Sequence, residues 1–363
     1  MKGKAQTVLG LVDGSKLGIT LPHEHFFIDV RCYMVEPTDY EYAKWYSTPV
    51  DPEEQELAHQ KITLENLWFS RYHRSSCEDN LILDDEDTAI REAMYFKKAG
   101  GNTIVDVTPN HVGRNPNRLV RVAKATDLNI IMGTSYYIAR SFTPEMKMDA
   151  RTEENIAEEF IHDINVGVGD TGIRAGIIGE IGTSWPLEEV EKKVLRAAGI
   201  AQRETGAAIN IHSGFSEDSP FECIKILKEV GADLNRVVFS HITLVFHVDS
   251  RVARARLAQE GCYLEFDLFG DDGIFRSHIQ YPSGMATDAT RVKEIMELTE
   301  DGFLDRVFIS HDVNWKIQLR SYGGGGYIHI LKFIVPTMRA KGMTHEQINT
   351  ILVENPRRIH TFV

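Results

Sequence analysis

AGIIGEIG, residues 175 to 182, is an almost unbroken apolar run with a single carboxylate, Glu180, near its end. A short run this apolar reads as a strand buried on both faces, as in parallel sheets covered by helices. An ionised carboxylate in such a strand is costly unless it is paired or coordinated. Other strands of the same kind, and the residues at their ends, decide between those two options.

Six further runs follow the same style from residue 86 onward. They are NTIVDVTP (102 to 109), NIIMGTSYYI (129 to 138), AAINIHSG (207 to 214), RVVFSHI (236 to 242), CYLEFDLFG (262 to 270) and RVFISHD (306 to 312). GITLPHEH, near the start, brings the total to eight. Between them lie stretches such as EENIAEEFIHDINVGV and PLEEVEKKVLRAAGIAQRETG, with apolar residues three and four apart, the spacing of an amphipathic helix. The second is expected to carry Pro186 in its first turn and Gly206 at its far end. Eight βα units predict an α/β fold, a (β/α)8 TIM barrel, as one domain over residues 1 to 363. A doubly wound open sheet is the alternative, but no GxGxxG follows the first strand. Residues 31 to 85, rich in Tyr, Trp and acidic side chains, form a long insertion after strand one. An insertion of that length is expected to serve as a lid, a binding loop or an oligomer contact, the last compatible with a homodimer.

The 363 residues carry a formal net charge of −13, which repels nucleic acid and anionic membranes. No apolar run reaches the length of a membrane span, and no signal peptide is expected at the N-terminus. The expected partner is a small-molecule substrate. Cys32, Cys77, Cys223 and Cys262 are scattered without a CxxC pair, which predicts reduced thiols and a cytoplasmic setting.

In a barrel the active site lies at the C-terminal ends of the strands. His23, His25, Glu180, His212, His241 and Asp312 all fall there. Because residues two apart share a face, His23 and His25 point together and Glu24 points away. The same parity predicts that Glu180 caps the column rooted in Ile178, and that Ser310 faces with Asp312 while His311 faces away. Four histidines and two carboxylates at one mouth read as a two-metal site at the C-terminal ends of the strands. Imidazole nitrogen with carboxylate oxygen suits Zn²⁺ first, with Mn²⁺, Co²⁺ or Fe²⁺ as alternatives. A water between two such ions has its pKa lowered towards neutrality, which points to hydrolysis of a polarised carbonyl or phosphoryl centre. The bland readings are a hydrogen-bonded HxH pair, structural histidines at strand ends, and Glu180 paired with Arg174 or Lys192.

With GITLPHEH, GIIGEIGTSWPLEE, INIH, FSH and ISHD in that order, the chain resembles the phosphotriesterase family of the amidohydrolase superfamily. The likeness runs nearly end to end. GEIGTSWPL, GCYLEFDLFG and YGGGGYIHIL place it nearest the phosphotriesterase-related subgroup. The resemblance implies a metal-dependent hydrolase with a binuclear centre. His23, His25 and Asp312 would hold the more buried ion, His212 and His241 the more exposed one, and Glu180 would bridge both beside a bridging hydroxide. Asp312 would also be the catalytic residue, taking the proton of the attacking hydroxide and passing it on. Phosphotriesterases proper bridge with a carbamylated lysine, which Glu180 replaces here. They also carry a proton relay of an aspartate after strand six and a histidine at strand seven, where this chain has Leu244 and Leu268. His247 and Asp249 lie nearby in the following loop.

The subgroup implies an amide bond of an N-acyl amino acid or N-acetyltaurine-like substrate. Lactones, including phosphorylated sugar lactones, are the alternative, with phosphotriesters and esters beside them; a ligand-binding barrel without catalysis is the non-enzyme reading. An anionic substrate end calls for Arg or Lys near the mouth, and the candidates are Arg114, Arg276 and Lys316. Tyr137, ending strand three, is a candidate donor to the substrate carbonyl. Glu265 and Asp267 share a face at the end of strand seven and are candidates to orient ligands from behind. YGGGGY (322 to 327) lacks the Lys and Ser/Thr of a phosphate loop and is read as a close approach to the barrel rim.

Overall fold

A computed structural model describes residues 1–34, 49, 51–246, 250–271 and 286–363. The chain opens with an antiparallel hairpin, Lys4–Thr7 against Gly10–Asp13. Among the described residues one sheet of eight strands follows, one for each run predicted from the sequence: β1 (Thr20–Glu24), β2 (Thr103–Asp106), β3 (Asn129–Thr134) and β4 (Ile177–Gly182), then β5 (Ile209–His212), β6 (Val237–Phe239), β7 (Tyr263–Phe266) and β8 (Val307–Ile309). All pair in parallel and in chain order. The first and last strands meet where the Ser310 hydroxyl donates to the His23 carbonyl at 2.8 Å and accepts from the His23 amide at 3.1 Å. That closure makes a barrel and removes the open doubly wound alternative.

The connections carry α1 (Glu86–Lys98), α2 (Pro116–Thr126), α3 (Glu153–Asn165), α4 (Glu189–Thr205), α5 (Ser219–Glu229), α6 (Arg251–Gln259) and α7 (Asp288–Glu300). After β8 a π-wound turn, Ile330–Ile334, runs into Val335–Ala340. Helix starts are set by local chemistry. Asp85 accepts from the Thr88 amide ahead of α1, and Thr152 does the same for Asn155 at α3, satisfying amides that the first turn leaves open. Among the described residues, no helix is long and apolar enough to cross a membrane.

Two local expectations are corrected. Pro186 does not lie in the first turn of α4, which begins at Glu189. The Glu191 carboxylate accepts from the Ser184 amide at 2.9 Å, the Ser184 hydroxyl at 2.7 Å and the Glu188 amide at 3.2 Å, and so holds residues 184 to 188 as a turn ahead of the helix. Gly206 does end α4, in the left-handed conformation at φ 72°. The column beneath Glu180 is rooted in Ile177, not Ile178. Ile177 joins Val105, Ile131, Ala208, Val238, Tyr263 and Phe308 in the buried floor of the barrel, whereas Ile178 packs on the helix side. The β4–β5 register shifts between Ile178 and Ile181, and this one-residue slip turns Glu180 inward. The Gly179–Glu180 peptide is cis. Backbone here is too close for side chains: a Cβ on Gly133 would stand 2.0 Å from the Gly179 carbonyl oxygen.

The four cysteines are free thiols, three of them buried.

Candidate metal centre

Three of the four histidines of the site are turned by a partner behind them. His23 Nδ1 lies 3.2 Å from Glu265 Oε2 and 3.1 Å from the Ser240 hydroxyl. His25 Nδ1 lies 2.9 Å from the Thr108 hydroxyl, and His241 Nδ1 lies 3.0 Å from Asp267 Oδ1. With Nδ1 engaged, Nε2 of all three faces the barrel axis. Glu265 is itself fixed by the Asn210 amide at 2.7 Å and the Ser240 hydroxyl at 2.8 Å. The strand-seven pair, Glu265 and Asp267, stands behind His23 and His241.

The inward atoms converge on Glu180. Its Oε2 is 3.7 Å from His23 Nε2, 3.3 Å from His212 Nδ1 and 3.5 Å from His241 Nε2, and its Oε1 is 3.5 Å from His25 Nε2. Asp312 Oδ1 closes the other side, 3.2 Å from His25 Nε2 and 3.6 Å from His23 Nε2. The Asn314 side-chain amide donates to both Asp312 oxygens at 3.0 Å. His241 and Asp312 are non-glycine residues in the left-handed region, at φ 60° and 52°. This uncommon conformation just past a strand end aims both side chains over the mouth. Glu24, on the opposite face of β1, accepts from the Ser310 hydroxyl, the His311 amide and ring, and the Val313 amide. The predicted outward turn of Glu24 and His311 therefore holds, whereas Ser310, expected to face with Asp312, instead engages the His23 backbone and the Glu24 carboxylate.

Glu180 is ringed by histidines, and Lys192 instead pairs with Glu189 at 2.9 Å. Burial alone would push the Glu180 carboxyl up, but His23, His212 and His241 outweigh it and hold it well below the usual carboxylate range. Against its own burial, His23 is pushed up to about 10 by Glu180, Glu265 and Asp312. His212 moves the other way, lowered by burial and by neighbouring His241.

The donor set fits divalent ions. His23 Nε2, His25 Nε2 and Glu180 Oε2 are buried and have no hydrogen-bond partner among the described residues. Buried polar atoms are rarely left so, and these three aim at one another. Ligand atoms about 2.1 Å from one tetrahedral ion sit roughly 3.4 Å apart, and the ring-to-carboxylate distances of 3.2 to 3.7 Å match that spacing. Three groups among the described residues, His23–His25–Asp312, His23–Glu180–His241 and, behind His23, His23–Glu265–Asp267, each bring their nitrogen and oxygen atoms within 4.8 Å of one another.

Above these residues opens a cavity of about 70 Å³. Tyr137 lines it, as expected, with its hydroxyl 3.3 Å from His212 Nδ1 and hydrogen-bonded to the Tyr33 hydroxyl. Leu244 and Leu268 line it too, so an apolar wall stands where the phosphotriesterase relay would be. His247 and Asp249 lie outside the described residues, as does Arg276. The other two predicted cations are corrected, because buried aspartates draw them into structural pairs. Arg114 donates to Asp163 at 2.9 Å and to the Gly133 carbonyl at 3.0 Å. Lys316 donates to Asp79 at 2.7 Å. Neither lines the cavity.

Residues not singled out from sequence also reach the cavity: Tyr33, Arg74 and Ser75 from the segment after β1, and Phe215, Asn314 and Trp315 from strand-end loops. Only the unusual length of that segment hinted at its role. YGGGGY makes the predicted close approach: a Cβ on Gly324 would stand 2.1 Å from the Gln318 carbonyl oxygen, and the Tyr327 hydroxyl donates to the His25 carbonyl at 2.7 Å.

Residues 3–360 match the phosphotriesterase family. The chain is 41% identical over 363 residues to a phosphotriesterase-related protein of Nematostella vectensis, covering 99% of each. It is 37% identical over 363 residues to the N-acetyltaurine hydrolase of Homo sapiens, covering all of this chain and 99% of that one. A resiniferatoxin-binding protein from Rhodobacter sphaeroides superposes with a TM-score of 0.89 at 34% identity, covering 99% of this chain and 95% of that one. With its closed barrel, its ring of histidines and carboxylates, and a match over nearly its whole length, the chain belongs to the phosphotriesterase family.

Proposed function

We propose that this hydrolase cleaves the amide bond of a small N-acyl amino acid or aminosulfonic acid, with N-acetyltaurine as the reference substrate. The observation that carries this reading is end-to-end similarity to relatives named N-acetyltaurine hydrolase, 37% identical in the human protein, combined with a site whose inward nitrogen and oxygen atoms are left without partners. In this reading His23, His25 and Asp312 would hold one divalent ion, His212 and His241 would hold a second, and Glu180 would serve both, with Zn²⁺ the best match to the donor set. Bound there, two such ions supply Lewis acidity and a water acidified to near-neutral pKa, and hence a hydroxide nucleophile.

The chain's own residues do the rest. Asp312, held by Asn314 on both oxygens, takes the proton of the attacking oxygen and gives it to the departing nitrogen as the C–N bond breaks. The acyl carbon gains the oxygen and leaves as a carboxylate, and the other half leaves as an amine. Tyr137 donates to the substrate carbonyl oxygen as charge develops on it. Glu265 and Asp267 keep His23 and His241 in the tautomers that face inward. Leu244 and Leu268 stand where the resemblance places the proton relay of the phosphotriesterases, so this chain supplies no titrating side chain at those two positions.

A substrate panel on the zinc-loaded protein tests the assignment. Release of acetate from N-acetyltaurine, or of the acyl group from N-acetyl amino acids, is expected to exceed turnover of lactones and of a phosphotriester. Turnover of lactones alone would replace the amide reading, and saturable binding without product across the panel would favour a binding protein.

A further inference from the structure

Trp315 lies three residues beyond Asp312, so their Cα atoms are at most about 11 Å apart. Its ring is covered by Arg74, whose guanidinium carbon stands 4.5 Å from the ring centroid. Both Asp271 oxygens accept from Arg74 Nη1 at 2.9 Å, and the two side chains are only 11% and 13% exposed. Arg74 thus joins the segment after β1 to the loop that follows β7. It also lines the same cavity as Glu180, His212, His241 and Asp312. Histidines aside, it is the one cationic side chain among the described residues that line this cavity.

The geometry suits anion recognition. A guanidinium lying over an indole and held by a carboxylate has little rotamer freedom left to lose when a ligand binds. Its planar fork matches the oxygens of a carboxylate or sulfonate. Ser75 adds a hydroxyl to the same wall. Arg114 and Lys316 are held by buried aspartates elsewhere, which leaves this end of the cavity to Arg74.

We propose that Arg74 anchors the anionic end of the substrate and sets the preference for amides with a carboxylate or sulfonate on the amine side, within a few bonds of the scissile nitrogen. This assignment rests on the amide-hydrolase reading above. Arg74 is a specificity residue, distinct from the groups that touch the reacting bond. Asp271 positions it.

The test compares N-acetyltaurine with its neutral methyl sulfone analogue, N-(2-methylsulfonylethyl)acetamide, on zinc-loaded wild type and Arg74→Met. The ratio of kcat/KM for the anionic over the neutral amide is expected to fall about 10- to 100-fold in the variant, the range for losing a charge-assisted hydrogen bond. The fall is expected mainly in KM, and Arg74→Lys should recover part of it. A second readout needs no turnover: calorimetric binding of 1-butanesulfonate, an anion without an amide, should weaken at least tenfold in Arg74→Met. Arg74→Gln combined with Asp271→Asn removes the clamp without stranding a carboxylate, and covers the case in which Arg74→Met fails to fold. An unchanged ratio, or equal losses for both amides, would overturn the proposal and leave Arg74 a structural clamp. If wild type cleaves neither amide, the amide-hydrolase reading fails, and butanesulfonate binding still decides whether Arg74 holds an anion.

Discussion

His23 Nδ1 lies 3.2 Å from Glu265 Oε2, although the two residues are 242 positions apart in the chain. This contact across the barrel decides which imidazole nitrogen faces Glu180. Glu265→Gln keeps an oxygen acceptor there but removes the charge that raises the basicity of the ring. Divalent-ion affinity, read by competition with a chelator, is expected to fall about 10- to 100-fold. The melting temperature should stay within a few degrees of wild type. Unaltered affinity would mean that Glu265 is packing alone.

Asp312 is fixed by Asn314 and sits 3.2 Å from His25 Nε2. Asp312→Asn retains an oxygen ligand but cannot accept a proton. Turnover of the amide substrate should drop by about 10² to 10⁴, with bound ions still present by elemental analysis. A variant that kept both its ions and its rate would remove Asp312 from the proton path.

His360 supplies a pH prediction away from the site. It is 2% exposed and stacked on Phe308, and burial, aided by Arg236, lowers its pKa to about 3. Because its folded value lies below the unfolded value near 6.5, the unfolded chain binds the extra proton. The contribution is therefore fully present above pH 6.5 and is lost as pH falls from there towards about 3. By pH 5 the loss amounts to about 2 kcal/mol. Denaturant unfolding of the ion-free protein at pH 7 and pH 5 should show that His360→Leu loses less stability over this interval than wild type does, by about the same amount. Parallel pH profiles would contradict the assignment.

The eight strands were legible because strands buried on both faces are runs of Val and Ile, and the candidate ligands were legible because they stand where those runs end. What was not legible depended on partners distant in sequence. Arg114 and Lys316 looked like mouth residues until Asp163 and Asp79 captured them. Arg74 and Tyr33 come from the long insertion after strand one, whose fold over the mouth the sequence does not show. Simple alternation put Ile178 under Glu180, and only the register shift in β4 reveals Ile177 there. The turn residues His241 and Asp312 carry left-handed backbones that no strand pattern announces.

Glu180 is the side chain on which every histidine of the site converges, and the central claim is that it joins two ions. Elemental analysis of wild type and Glu180→Ala, both loaded with zinc and desalted, tests this most directly, with circular dichroism to confirm folding. Two ions per wild-type chain and a clear loss in a folded Glu180→Ala are predicted, with no dependence on added bicarbonate because glutamate needs no carbamylation. Wild type without ions after loading, or a variant that keeps both, would contradict the account.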